Sequence, residues 1–553
     1  MKRILFIIVL LVVFLPQRSW AFSVGESQYF NIESDYDLTN RDETLATLKK
    51  ISNNAYFYVD NYWWSSLSFK DQSQATIALD NLSQEFDTKI YPTLVQNFGD
   101  AWKPGIDRDI KITVLFHPMK GQAGGYFNSG DEYSKLQNPS SNEKEMVYLN
   151  TKYIGATQLK SLLAHEFTHL ITFNQKEKIQ EVSEEIWLNE ARAEYAPTLL
   201  GYDEDYQGSN LEQRVKQFIN SSSNPLAEWQ NLEADYGVIN LFTQYLVDHY
   251  GTRILADSLH SSKIGIPSIN EALKKNNFQK DFSQIFTDWL ITLFINSCRT
   301  SSDYCYINEN LRNLRITPSL IFLPSTQRIG VSLDYSIKQW SGNWYRIIGG
   351  SGDLTLQFNG ENTVNFKIPY VLCQYSDVCE VHFLSINKEQ DGEIFLPDFD
   401  KNWRSLTLIP SIQSKLSGFG TQEPFYPLSI SISINIKTDE EKLIEGLLAQ
   451  IEELKKEIIR VQAQINEMRG QSVSCNGFPQ DLYYGMVNTE RVKCLQQFLK
   501  SKGETIYPEG IVSGNYLSLT TLAVKRYQAS KVIIQTGYFG PLTRAAANAD
   551  LGL

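Results

Sequence analysis

Leu162-Leu163-Ala164-His165-Glu166-Phe167-Thr168-His169-Leu170-Ile171 carries two histidines four residues apart in a segment whose apolar positions suit a helix. On a helix, residues four apart share a face, so both imidazoles can aim at one point. Glu166 follows His165 at about 100° around the axis, where a carboxylate can reach a water on a metal ion without being a ligand itself. The arrangement suits a divalent zinc ion. A catalytic zinc takes three protein ligands and keeps a fourth position for water, so a third ligand must come from elsewhere in the chain.

The segment Trp187-Leu188-Asn189-Glu190-Ala191-Arg192-Ala193-Glu194-Tyr195-Ala196 supplies it. Glu190 is the candidate ligand. Glu194, one turn on and on the same face, can accept the second ring N–H of a ligating histidine and so fix its tautomer. Both carboxylates sit among Trp187, Leu188, Ala191, Ala193 and Tyr195, and polar groups in apolar surroundings need a partner. His-Glu-x-x-His followed by Asn-Glu-x-x-x-Glu resembles the gluzincin metallopeptidases, of which thermolysin is the best-known member. The variant Trp-Leu-Asn-Glu-x-x-Ala-Glu-Tyr is most similar to the hyicolysin-like group of secreted bacterial peptidases.

That resemblance implies an α+β zincin-type domain that binds Zn2+ through His165, His169 and Glu190, uses Glu166 as general base and supports a ligand from behind with Glu194. In several gluzincins a tyrosine just upstream of a helix donates to the oxyanion, and Tyr236 stands in the comparable place. In peptidases of this kind an edge strand ahead of the zinc helix pairs with the substrate backbone, which here falls near Gly125 to Asn128. The chain has no Gly-x-Met-Glu-Asn segment, the strand by which aminopeptidase relatives recognise an N-terminus, so an endopeptidase is expected.

A chain of 553 residues exceeds what one core can organise, and several domains follow. A net charge of -12, spread rather than blocked, gives no reason to expect a nucleic-acid partner. Met1-Lys2-Arg3, the apolar run Ile4 to Leu15 and Ser19-Trp20-Ala21 read as a secretory signal over residues 1–21. The run is too short to favour a membrane span, and no second one of spanning length follows. Six cysteines fall into three local couples, Cys298 with Cys305, Cys373 with Cys379 and Cys475 with Cys494. With an export signal these suggest disulfides, and fifteen pairings are formally open although neighbour pairing is simplest.

Along the chain, residues 22–324 read as the metallopeptidase domain. Ala55 to Val59, Ile110 to Phe116 and Met146 to Asn150 are strand-like, and Ala75 to Asn97 has helical spacing. Gly251 is a stop for the helix that contains Tyr245. His117, His249, His260 and His382 have no partner at metal-binding spacing and are expected to be structural. Residues 325–437 show strand-like runs at sandwich spacing, Leu428-Ser-Ile-Ser-Ile-Ser-Ile434 among them, and predict a β-sandwich. Asp398-Phe399-Asp400-Lys401-Asn402 lacks the glycine and closing glutamate of an EF-hand and reads as a turn.

Residues 438–470 form a heptad run. Ile444, Leu447, Ile451, Leu454, Ile458, Val461, Ile465 and Met468 make an a/d seam, with isoleucine at a, that favours a parallel pair of helices. Residues 471–553 resemble the small three-helix peptidoglycan-binding domain, on Leu495-Gln496-Gln497-Phe498-Leu499, Gly514 to Gln528 and Gly537-Tyr538-Phe539-Gly540-Pro541. They depart from it at Leu517, where the family more often has glycine, and that bears on binding rather than fold.

The expected whole is a multidomain, exported zinc endopeptidase at a bacterial-type cell envelope. It would act on protein or peptide, contact peptidoglycan through its last domain and form a coiled-coil homodimer. Two other readings use the same residues: a non-catalytic envelope-binding protein, and a peptidoglycan hydrolase aimed at cell-wall cross-links.

Overall fold

The strand-forming run Ala55-Tyr-Phe-Tyr-Val-Asp60 is buried along its whole length, because the sheet that holds it is covered on both faces. The structure is a computed structural model and describes residues 22–553 apart from 122, 325–328, 376–377, 436–438 and 469–474. The expected signal segment, residues 1–21, lies outside the described residues, as do parts of the expected boundaries near 325, 438 and 470. The chain divides into two compact units, residues 1–436 and 437–553, with mixed α and β content and several sheets.

Six strands form the first sheet: β1 (Ser27–Asn31), β2 (Glu43–Ile51), β3 (Ala55–Asp60), β4 (Ile112–His117), β5 (Gly125–Phe127) and β6 (Met146–Asn150), in the order β1-β2-β3-β4-β6-β5. β4 runs parallel to both β3 and β6, and β5 is an edge strand antiparallel to β6. Side chains alternate between the faces. Ala55, Phe57, Val59, Val114, Phe116, Val147 and Leu149 enter the main core, while Tyr56, Tyr58, Leu115, Met146 and Tyr148 enter a second core on the other side.

Ten helices accompany this sheet: α1 (Asn61–Ser66), α2 (Phe69–Glu85), α3 (Tyr91–Phe98), α4 (Leu159–Phe173), α5 (Ile186–Leu199), α6 (Asn210–Asn220), α7 (Glu233–Tyr250), α8 (Arg253–Leu259), α9 (Gly265–Lys275) and α10 (Phe282–Ile295). The helical stretch expected over Ala75 to Asn97 is α2 and α3 joined by a π-helical turn, Phe86–Ile90. Gly251 ends α7 with its N–H on Val247 O (2.9 Å) at φ 79°, a backbone state that glycine enters without penalty. Within α7, a Cβ at Gly237 would lie 2.7 Å from the backbone nitrogen of Phe218, so only glycine lets α6 pass this close.

The following region has two larger sheets and a small two-stranded one, Phe366–Lys367 with Ser411–Ile412. Ile329–Ile337, Asp353–Gly360, Asp391–Leu396 and Tyr426–Asn435 make a four-stranded one, and Ser319–Leu323, Tyr345–Gly349, Pro369–Tyr375, Val378–Phe383 and Ser405–Leu408 a five-stranded one. They share a core: Leu354, Leu356, Ile430 and Ile432 from the first meet Ile347, Leu406 and Leu408 from the second. Along Leu428 to Ile434 the isoleucines face in and the serines out, as the alternation requires. The first strand begins at Ser319, ahead of residue 325. Trp340, Trp344, Val371 and Ile409 of this region join the main core beside Phe282 and Trp289, and the Trp344 indole N–H donates to Leu290 O (3.0 Å).

Disulfides close the three neighbour couples, Cys298–Cys305, Cys373–Cys379 and Cys475–Cys494. In the second unit the helix Asp439–Met468 exposes Ile444, Leu447, Ile451, Leu454, Ile458 and Val461, each by 42–64%, and the side chains of Ile465 and Met468 lie outside the described residues. Helices Glu490–Ser501, Ser518–Ser530 and Pro541–Asp550 then surround Val492, Leu495, Phe498, Val524, Tyr527 and Phe539. Leu517 precedes the second of these at φ -115°, extended backbone that any residue adopts, so leucine enters this turn without strain. Among the described residues no helix is long and apolar enough to cross a membrane.

Candidate metal centre

α4 and α5 pack side by side, and that contact brings His165, His169 and Glu190 together: one ligand atom from each lies within 4.8 Å of the others. Among the described residues this is the one group of three such side chains. His165 Nε2 is 3.2 Å from His169 Nε2, and the Glu190 oxygens lie 3.3 Å from the former and 3.7 Å from the latter. The opposite ring nitrogens are engaged by acceptors. His165 Nδ1 is 3.3 Å from Glu194 Oε1, and His169 Nδ1 is 3.1 Å from Asn189 Oδ1.

These second contacts decide the chemistry. An acceptor opposite each Nδ1 puts the proton of the neutral ring there and leaves Nε2 as a bare lone pair. Two lone pairs and a carboxylate then converge, and Glu190 Oε2 is buried with no hydrogen-bond partner. Electron pairs alone would repel; the donor set fits a divalent cation of the zinc type. The local field favours positive charge at one of the two rings. Burial opposes charge on His165, yet its contacts with Glu190 and Glu194 and the charge of Glu166 outweigh that and raise its pKa well above the ordinary value, while burial keeps His169 below its own.

Glu166 is 5% exposed, and a Cβ on Gly125 would lie 3.0 Å from its Cγ, so a glycine in β5 lets the edge strand run against this side chain. Burial, together with the charges of Glu190 and Glu194 and against that of His165, pushes the Glu166 carboxyl up to about 8. Phe127, two residues along β5, stacks near His169 with ring centroids 6.4 Å apart. Glu194 is anchored from behind: Arg214 grips both its oxygens (2.6 Å each), and Asn210 adds a third hydrogen bond (3.0 Å). Arg214 reaches it because α6 passes α7 at Gly237. The positive charge outweighs the burial of Glu194 and holds its carboxyl below the usual carboxylate range.

Tyr236, in the first turn of α7, lies close enough for the charges of Glu190, Glu194 and Glu166 to reinforce burial in raising its phenol. Its hydroxyl donates to Asn231 Oδ1 (2.9 Å), and its ring lies under the Arg214 guanidinium (4.8 Å). The four remaining histidines that were expected to be structural stand apart: His117 pairs with Asp37 (3.3 Å), His249 and His260 contact the carbonyls of Cys305 and Phe98, and His382 lies by Glu380. Sequence reasoning missed Arg214, Asn210 and the role of Asn189. Asn189 stood in plain view beside Glu190; Arg214 had no local signal, since its partner is twenty residues away on another helix.

Residues 488–547 match the family model described as a putative peptidoglycan binding domain. The chain is also similar to the neutral metalloprotease ShpI of Staphylococcus hyicus, 30% identical over 234 residues, which are 38% of this chain and 48% of that protein. The chain thus spans about half the length of this relative. Among solved structures, PliG of Aeromonas hydrophila, a periplasmic lysozyme inhibitor of g-type lysozyme, is 13% identical over 22% of this chain and 100% of its own, with a TM-score of 0.15. The pre-peptidase C-terminal domain of collagenase from Bacillus anthracis is 14% identical over 21% and 96%, with a TM-score of 0.14. At those scores neither bears on the fold or function here.

Proposed function

We propose that the chain is an exported, zinc-dependent endopeptidase of the gluzincin type, held at the cell envelope by its last domain. The observation that carries this reading is the convergence of two imidazole Nε2 atoms and a carboxylate oxygen beside the buried Glu166. Similarity to a neutral metalloprotease supports it. His165, His169 and Glu190 would hold zinc, which when bound acidifies a water and polarises the scissile carbonyl. Glu166 takes the proton of the attacking water and returns it to the leaving amine. Glu194, gripped by Arg214, keeps the His165 ring oriented, and Tyr236 donates to the carbonyl oxygen as charge develops there. The free edge of β5, around Gly125 to Asn128, takes the substrate backbone.

Residues 1–21 would serve as the export signal, 22–324 as the peptidase, 325–437 as a sandwich, 438–470 as a coiled coil and 471–553 as the cell-wall module. The exposed seam of the long helix supports a homodimer. The test is Glu166→Gln: peptide hydrolysis is lost while one zinc per chain stays bound, and full activity in that variant sinks the mechanism. The match at residues 488–547 also favours a second reading, hydrolysis of peptidoglycan cross-links, which clearing of a purified cell-wall suspension without casein cleavage would select.

A further inference from the structure

The two-sheet region reaches back toward the metal centre through the loop 415–425. Gly418 N donates to Glu185 Oε1 (2.7 Å), and Glu185 stands at the N-terminal cap of α5. Glu423 N donates to Glu228 Oε2 (3.0 Å), and Lys338 Nζ lies 2.7 and 2.8 Å from the two oxygens of the same carboxylate. Glu228 is 2% exposed. A buried carboxylate is held only where charge and N–H donors replace the water it has lost; here Lys338 and Glu423 N come from the two-sheet region, and Gln230 Nε2 adds a donor from the gripped segment itself. Two backbone bonds extend the grip: Leu226 N to Trp340 O (2.8 Å) and Trp229 N to Gly420 O (3.4 Å). Lys415 braces the loop by pairing with Glu423 (2.6 Å).

The gripped segment in turn holds Tyr236. The Trp229 ring meets the Tyr236 ring edge-on at 5.0 Å, and Asn231 Oδ1 accepts the tyrosine hydroxyl. Gln230 N and Leu232 N both donate to Asp235 Oδ2 (2.9 Å each), which fastens the segment to the first turn of α7. A displacement of residues 226–231 would therefore move the phenol.

We propose that the two-sheet region is a positioning element of the metal centre: Lys338 and the loop 415–425 clasp Glu228 and, through Trp229 and Asn231, set the Tyr236 phenol against the metal-binding group. The catalytic consequence rests on the peptidase reading; the clasp itself rests on the contacts alone. Lys338 and Glu228 are positioning residues, acting through Tyr236.

The test replaces the ion pair in the full chain by Glu228→Gln with Lys338→Met, which leaves no lone buried charge. Amide exchange at Gln230 and Leu232 is expected to accelerate about tenfold, with exchange in α4 and zinc content unchanged. With a cleavable peptide, kcat falls about tenfold at constant KM, and the same pair adds no further loss in a Tyr236→Phe background. Unchanged exchange overturns the proposal, and so does an equal kcat loss with tyrosine and with phenylalanine at 236. If the double variant does not fold, Trp229→Leu cuts the link beyond the clasp: lower kcat with unchanged exchange at 226–228 supports the proposal, and unchanged kcat overturns it. If the unaltered chain cleaves no peptide at all, the peptidase reading falls, while the exchange comparison still decides the clasp.

Discussion

Two apolar surfaces in this molecule meet opposite fates. The face of the two-sheet region that carries Trp340, Trp344 and Ile409 is sunk into the same core as Phe282 and Trp289. The face of the long helix that carries Ile444, Leu447, Ile451 and Leu454 stands exposed by 45–60%. The first surface has its counterpart within the chain; the second repeats at heptad spacing and stays exposed. A region that follows the candidate metal-binding helices in sequence can thus share their core.

The comparison breaks first at the level of activity. Residues 22–436 alone are expected to cleave a short peptide as fast as the full chain, while Glu166→Gln lowers hydrolysis in either form by about a thousandfold, the middle of the range for a general base. A steady-state assay on the four proteins checks both points. Loss of activity on removing residues 437–553 would show that the second unit is not independent.

Next comes stability. Trp340 is fully buried, so Trp340→Ala is expected to cost about 3–5 kcal/mol in urea unfolding, and the transition should carry the metal-binding helices with it. A separate melting of the two-sheet region would contradict the shared core. Ile451→Ser with Leu454→Ser should leave that transition unmoved and convert a sedimenting dimer to monomer.

A smaller effect sharpens the contrast. Glu132 is buried against Glu145, and burial first, then the neighbour's charge, pushes its carboxyl up to about 10. A carboxyl held above its unfolded value binds its proton more tightly when folded, so stability falls as pH rises from about 4.5 toward 10. Glu132→Gln removes its share of this slope and leaves that of Glu145, whose carboxyl burial also raises. Scanning calorimetry between pH 5 and 9 should show a flatter melting temperature for the first unit, with a gain at pH 8 on the order of 1 kcal/mol, and no change in the second unit.

The candidate metal group is legible in sequence because helical period alone puts His165 and His169 on one face, and Glu190 and Glu194 repeat that spacing on a second helix. The isoleucine and serine alternation of Leu428 to Ile434 announced its strand in the same way. What sequence could not carry was anything set by one element crossing another. Arg214 meets Glu194 only because Gly237 lets α6 lie against α7. Trp340 reads as one more aromatic in a strand-rich stretch until the packing of α10 shows what it is for. Lys338 and Glu228, 110 residues apart, share no pattern at all.

The shortness of β5 has a bearing on diet. Three residues of edge amount to about 10 Å of extended chain, too little to measure the length of a ligand. A tetrapeptide should therefore be cut almost as fast as a decapeptide of the same central sequence. On the peptidase reading, choice among cleavage points would fall to the few side chains flanking the severed bond, such as those meeting Phe127, and any slack polypeptide would qualify as food.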